Sequence, residues 1–113
     1  MLFENFEIKN VKLKNRVVVS PMCQYSAKDG YSQDYHRVHY GQMAMGGAGL
    51  VFLEATAVTS QGRITNGCLG IWKDDFLEGL SELARIIENF GSTPAIQLAH
   101  AGQKGSMQRP WHG

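Results

Sequence analysis

The chain has 113 residues, 43% of them hydrophobic and 19% charged, with a formal net charge of +1. This is enough for one small domain with a modest core, and too apolar for a disordered chain. The near-neutral balance and the lack of any basic block argue against a nucleic-acid partner.

The most apolar run, Leu50-Val51-Phe52-Leu53, is stopped by Glu54, far short of the ~20 residues that cross a bilayer. The opening Met1-Leu2-Phe3-Glu4-Asn5 has an early acid and no cationic segment before an apolar run, so it does not read as a secretion signal. The expectation is a cytoplasmic protein. Its two cysteines, Cys23 and Cys68, lie in unrelated sequence contexts and read as free thiols, with Cys68 simply packing.

In chain order, residues 6–13 alternate apolar and polar around a turn-prone Asn10, which predicts a hairpin with one covered face. Val17-Val18-Val19 reads as a short buried strand that ends at Pro21, because proline has no N–H to give a sheet. After the Asp29-Gly30 turn, Ser32 is placed to cap a helix running to about Met45, which stops at Gly46-Gly47. A second strand runs from Leu50 to about Val58. A glycine-containing loop follows, beginning at Gln61-Gly62-Arg63. Asp74 and Asp75 open a helix whose Phe76, Leu77, Leu80, Leu83, Ala84 and Ile87 form one apolar stripe, and Gly91 ends it. A third strand, about Thr93 to Leu98, leads to a polar tail.

Alternating short strands and helices predict parallel strands joined by crossovers. A doubly wound sheet and a barrel both fit. Gly46-Gly47-Ala48-Gly49 invites a dinucleotide-binding reading, but these glycines follow a helix and precede a strand. A phosphate-binding glycine loop has the opposite order, so they read as a helix stop and a tight loop.

Three segments fall at the C-terminal ends of the strands, where such sheets place ligands. They are Ser20-Pro21-Met22-Cys23-Gln24-Tyr25, Glu54-Ala55-Thr56-Ala57 and Gln97-Leu98-Ala99-His100-Ala101-Gly102. Together with Leu13-Lys14-Asn15-Arg16 and Gln61-Gly62-Arg63, in this order, they resemble the old yellow enzyme family of flavin oxidoreductases. The Pro-Met-Cys-Gln-Tyr run and the tail Arg109-Pro110-Trp111 resemble its thermophilic-like and xenobiotic-reductase branch. The resemblance covers essentially the whole chain.

It implies an α/β fold: a hairpin and about three βα units forming the N-terminal part of a (β/α)8 TIM barrel. It implies FMN as cofactor and NAD(P)H as reductant, with a small activated alkene such as an enone as substrate. Ser20, Pro21, Met22 and Cys23 would line the flavin, and Cys23 would lie near its redox-active edge. Ala55 would allow close approach to the ring. Gln97 would hydrogen-bond the pyrimidine edge, since a carboxamide both donates and accepts. Tyr25 would reach the substrate carbonyl. Many relatives carry arginine after His-Ala-Gly, where this chain has Gln103.

Taken singly, these residues have plainer readings. Cys23 alone would be a small buried hydrophobe, Tyr25 a half-buried surface aromatic, and Gln97 a strand-end residue satisfying backbone groups. Glu54 would be the ionised partner of a lysine or arginine in a later part of the barrel, without a catalytic role. His100 would support the loop after the third strand. His36 and His39 could share a helix face, but no acid or cysteine is spaced to complete a metal site with them.

A barrel of this type needs eight strands and about 250 residues. The family's substrate-anchoring histidines, its proton-donating tyrosine and its phosphate-holding arginines come later in such a chain. No catalytic residue is therefore assigned within residues 1–113. The parent enzyme would be a homo-oligomer. The chain alone is expected to be an inactive N-terminal portion that is unstable, aggregates, or depends on a complementary C-terminal polypeptide. The rival reading is a non-catalytic interaction fragment or relic that docks on a barrel by edge pairing.

Overall fold

The computed structural model describes residues 1–112. Strands β1 (Phe6–Ile8) and β2 (Val11–Leu13) pair antiparallel, Phe6 opposite Leu13 and Ile8 opposite Val11. Lys9 turns the hairpin at φ 52°. Only Leu13 is buried, and the expected covered face is bare: Phe6, Ile8 and Val11 stay exposed. Phe6, Ile8 and Leu13 instead line an open apolar hollow of about 190 Å³ with Val18 and Leu50, the residues that begin the next two sheet strands. The hairpin thus sits at the N-terminal end of the sheet.

The sheet is parallel. Strand β3 (Val18–Val19) pairs with the start of β4 (Leu50–Ala57), and β5 (Leu69–Gly70) pairs with its end. Strand β6 (Thr93–Ala99) pairs along the whole of β4. Since β6 faces both ends of β4, β3 and β5 must share the other side, β5 taking over where Pro21 has turned the chain out of the sheet. The sequence reading missed β5, which is two residues inside a loop.

Helices α1 (Asp34–Met45) and α2 (Leu77–Asn89) cover one face. Tyr40 and Ala44 from α1 and Leu80, Leu83 and Ile87 from α2 meet Val51 and Leu53 of β4 in one core. Phe76 joins this core, but Leu77 is exposed and lies along an apolar groove with Ala84, Pro94 and Ile96. The cap of α1 also differs from expectation. Gln33 is the N-cap, and its backbone N–H donates to His36 Nδ1 at 2.9 Å. The cap thus falls one residue after Ser32, and the His36 ring accepts the N-cap residue's own N–H in place of a serine hydroxyl accepting one from the first turn.

Gly47 and Gly49 have a physical reason. Asn15 Nδ2 donates to Gly47 O at 2.8 Å, and a Cβ on Gly49 would lie 2.4 Å from the Asn15 carbonyl oxygen. Gly49 lets the two loops touch, whereas a Cβ on Gly47 would meet nothing; Gly47 instead turns the chain at φ 100°. Replacing Leu83, 1% exposed, with alanine should cost about 2–5 kcal/mol through lost burial and an unfilled cavity. A lower urea midpoint with an unchanged slope would show this; no shift would mean that the core does not form as described.

Candidate functional site

The loop leaving β3 is held by its own side chains. Gln24 Nε2 donates to Met22 O at 2.9 Å, Tyr35 Oη donates to Gln24 Oε1 at 2.6 Å, and Ser26 Oγ donates to Gln24 O at 3.0 Å. Tyr25 adopts φ 52°. Its ring meets Trp111 edge-on, with centroids 6.2 Å apart, and burial holds its phenol above the usual range.

Ser20 and Met22 are exposed, and Pro21, Cys23 and Tyr25 are half-buried. Ala55 sits opposite Gln97 in the sheet register, and its backbone N–H favours the thiolate of Cys23, on the loop leaving the neighbouring strand β3. Cys23, Ala55 and Gln97 therefore make one row across the C-terminal end of the strands. Gln97 is exposed, and its carboxamide makes no hydrogen bond to the described residues. Tyr25 leaves the row to lean on Trp111. Gln103, too, is exposed.

This arrangement depends on a register shift in β4 between Leu53 and Ala55. The extra residue is Glu54, 1% exposed. Tyr40 Oη donates to Glu54 Oε2 at 2.6 Å and accepts from the Glu54 backbone N–H at 2.9 Å. The Gln24 backbone N–H reaches Glu54 Oε1 at 3.4 Å. His36 Nδ1 is taken as an acceptor, which assigns the ring proton to Nε2, 3.8 Å from Glu54 Oε1. Among the described residues the partners of Glu54 are Tyr40 and His36 of α1 and the Gln24 backbone N–H, not a lysine or arginine. A lone glutamate in an apolar strand was the signal, with His36 and Tyr40 four residues apart on the preceding helix. His36 is committed to this cluster, and burial lowers the basicity of His39.

The cysteines do not sit apart either. Cys68 is buried, and its sulfur accepts from Thr65 N–H at 3.4 Å. The Cys23 side chain and the Thr65 backbone favour the Cys68 thiolate against the effect of burial, while the Cys68 side chain, then burial, pushes the Cys23 thiol up. His100 holds its loop as expected, Nδ1 accepting from Gly102 N–H at 3.1 Å.

Tyr40→Phe should cost about 1–3 kcal/mol, because it leaves buried Glu54 groups unpaired. Burial, then the Glu54 charge, raises the Tyr40 phenol. Its folded-state pKa exceeds the unfolded value, so stability is full below about pH 10 and falls as pH rises beyond it. Urea midpoints on either side of that pH should diverge more for the parent chain than for Tyr40→Phe; equal divergence would contradict this.

A sequence profile of the NADH:flavin oxidoreductase / NADH oxidase family matches residues 1–111. The chain is 54% identical over 108 residues to an NADPH dehydrogenase of Bacillus cytotoxicus, covering 94% of this chain and 31% of that protein. It is 50% identical over 114 residues to an NADPH dehydrogenase of Bacillus licheniformis, covering 99% and 34%. The fold superposes on morphinone reductase with a TM-score of 0.81 at 29% identity, over 88% of this chain and 26% of that one. The chain thus spans about a third of the length of these curated relatives, and its α/β fold matches part of a TIM barrel. The family uses FMN, with NADPH as reductant. With the profile running almost end to end and half the residues shared with such relatives, the chain belongs to the NADH:flavin oxidoreductase / NADH oxidase family.

Proposed function

We propose that residues 1–113 are the N-terminal portion of an FMN-dependent NAD(P)H oxidoreductase that reduces activated alkenes such as enones, and that they form one wall of its flavin site. The observation that carries this is the Cys23–Ala55–Gln97 row at the C-terminal end of parallel strands, the end at which barrels hold their ligands.

The residues fit the cofactor. Gln97 offers a free carboxamide, which can donate one hydrogen bond and accept another at the pyrimidine edge of an isoalloxazine. Ala55 leaves room for the ring, with Ser20, Pro21, Met22 and Cys23 along its flank. Bound FMN would supply hydride relay from NAD(P)H to the alkene β-carbon. The chain's own task is to orient and polarise. Tyr25 keeps its proton because burial raises its phenol, so it can donate to a substrate carbonyl oxygen. Trp111 braces that ring from one side.

The chain alone lacks the rest of a barrel, so the test supplies it. The 113-residue chain is mixed with the remaining two-thirds of a Bacillus NADPH dehydrogenase, FMN is titrated in, and flavin absorbance and enone-dependent NADPH consumption are followed. A shifted flavin band and turnover from the mixture alone are expected. Gln97→Leu should weaken FMN binding roughly tenfold, the worth of about one net hydrogen bond. No binding and no turnover, while the relative's own N-terminal segment restores both, would refute the proposal.

A further inference from the structure

The loop that carries Cys23 is pinned to the turn that carries Cys68. Ala27 N–H donates to Gly67 O at 2.9 Å, and Gly67 N–H donates to Thr65 Oγ1 at 3.0 Å. A Cβ on Gly67 would lie 2.4 Å from the Tyr25 carbonyl oxygen, so the two backbones touch next to Cys68 and two residues from Cys23. Arg109 ties the same place down by donating to Ala27 O at 3.2 Å. Cys23 and Cys68 therefore sit on two loops held against each other, and the Cys23 thiol favours the Cys68 thiolate. Cys23 is half-buried and reachable, whereas Cys68 is 2% exposed.

We propose that Cys23 and Cys68 form a reversible disulfide that locks the 20–25 loop to the 65–68 turn. The oxidant is a low-molecular-weight disulfide of the glutathione type. The Cys23 thiol loses its proton, and its thiolate attacks one sulfur of the small disulfide and expels one thiolate, leaving a mixed disulfide. The Cys68 thiol then loses its proton, and its thiolate attacks Cys23 Sγ, closes the protein disulfide and expels the second thiolate. Two protein thiols lose two electrons, the small disulfide is reduced to two thiols, and the two released protons end on those thiols. Cys68 suits the resolving step because the Thr65 N–H stabilises its thiolate.

The chemistry needs no flavin, so it stands or falls separately from the function proposed above. If that function holds, closure takes the Cys23 thiol out of the flavin wall.

The test exposes the full chain to increasing oxidised glutathione, blocks remaining thiols with iodoacetamide, digests with trypsin and maps the products by mass spectrometry. Trypsin places Cys23 in residues 17–28 and Cys68 in residues 64–73. The expected product is the two peptides joined, formed at an oxidant ratio roughly tenfold lower in buffer than in urea, where only flexible-chain proximity brings the thiols together. Cys68→Ser should trap Cys23 as its glutathione mixed disulfide, and Cys23→Ser should leave Cys68 unmodified in buffer. Equal cross-linking in buffer and urea would overturn the proposal, as would separate glutathionylation of both cysteines without a joined peptide.

Discussion

Glu54 has almost no contact with water, and a carboxylate at that depth needs polar partners or it costs several kcal/mol. Tyr40 closes the account on one oxygen and on the Glu54 amide, while Gln24 N–H and the His36 ring face the other oxygen. These contacts join three elements: the middle strand, the first helix and the loop that leaves the first sheet strand. The bulge at Glu54 is the geometric condition for this. It swings the carboxylate to the helix side and leaves Ala55 opposite Gln97. One buried charge thereby fixes both the packing of α1 and the open row at the strand ends.

The same region is built from mutually supporting loops. The 20–27 loop is tied through Ala27 to the turn before β5 and to Arg109 of the tail, and to its own backbone through Gln24. Such loops hold ligand-facing groups in place on a rigid sheet. Cys23 and Cys68 lie on the two loops that this network joins, which is how two cysteines far apart in the chain come onto neighbouring loops.

Much of this was legible in the sequence. The β-branched run at Val17-Val18-Val19, the alternation with helices and the glycine stops gave the strand–helix order, although Val17 and Val18 are exposed and the strand is not the buried one expected; the ordered motifs gave the family. The cap of α1 was not legible, because His36 competes with Ser32 for the role and only the fold decides which backbone N–H is within reach. Strand β5 was hidden because Leu69-Gly70 pairs only where β3 has ended. The register that sets Ala55 against Gln97, and the placing of Cys23 and Cys68 on neighbouring loops, are long-range geometry that local pattern does not encode. Glu54 was visible as an oddity, but its partners lay on a helix whose facing could not be fixed from periodicity alone.

The account stands most directly on the claim that Ala55 and Gln97 face the flavin. The measurement is the amide NMR spectrum of the labelled chain, assembled with the remaining segment of a related barrel, before and after FMN is added. The account predicts that the Ala55 backbone amide, the Gln97 side-chain NH2 and the amides of residues 20–25 shift together. Shifts confined to the polar hollow lined by Ser60, Arg63, Asn66 and Gln108, with Gln97 unmoved, would contradict it.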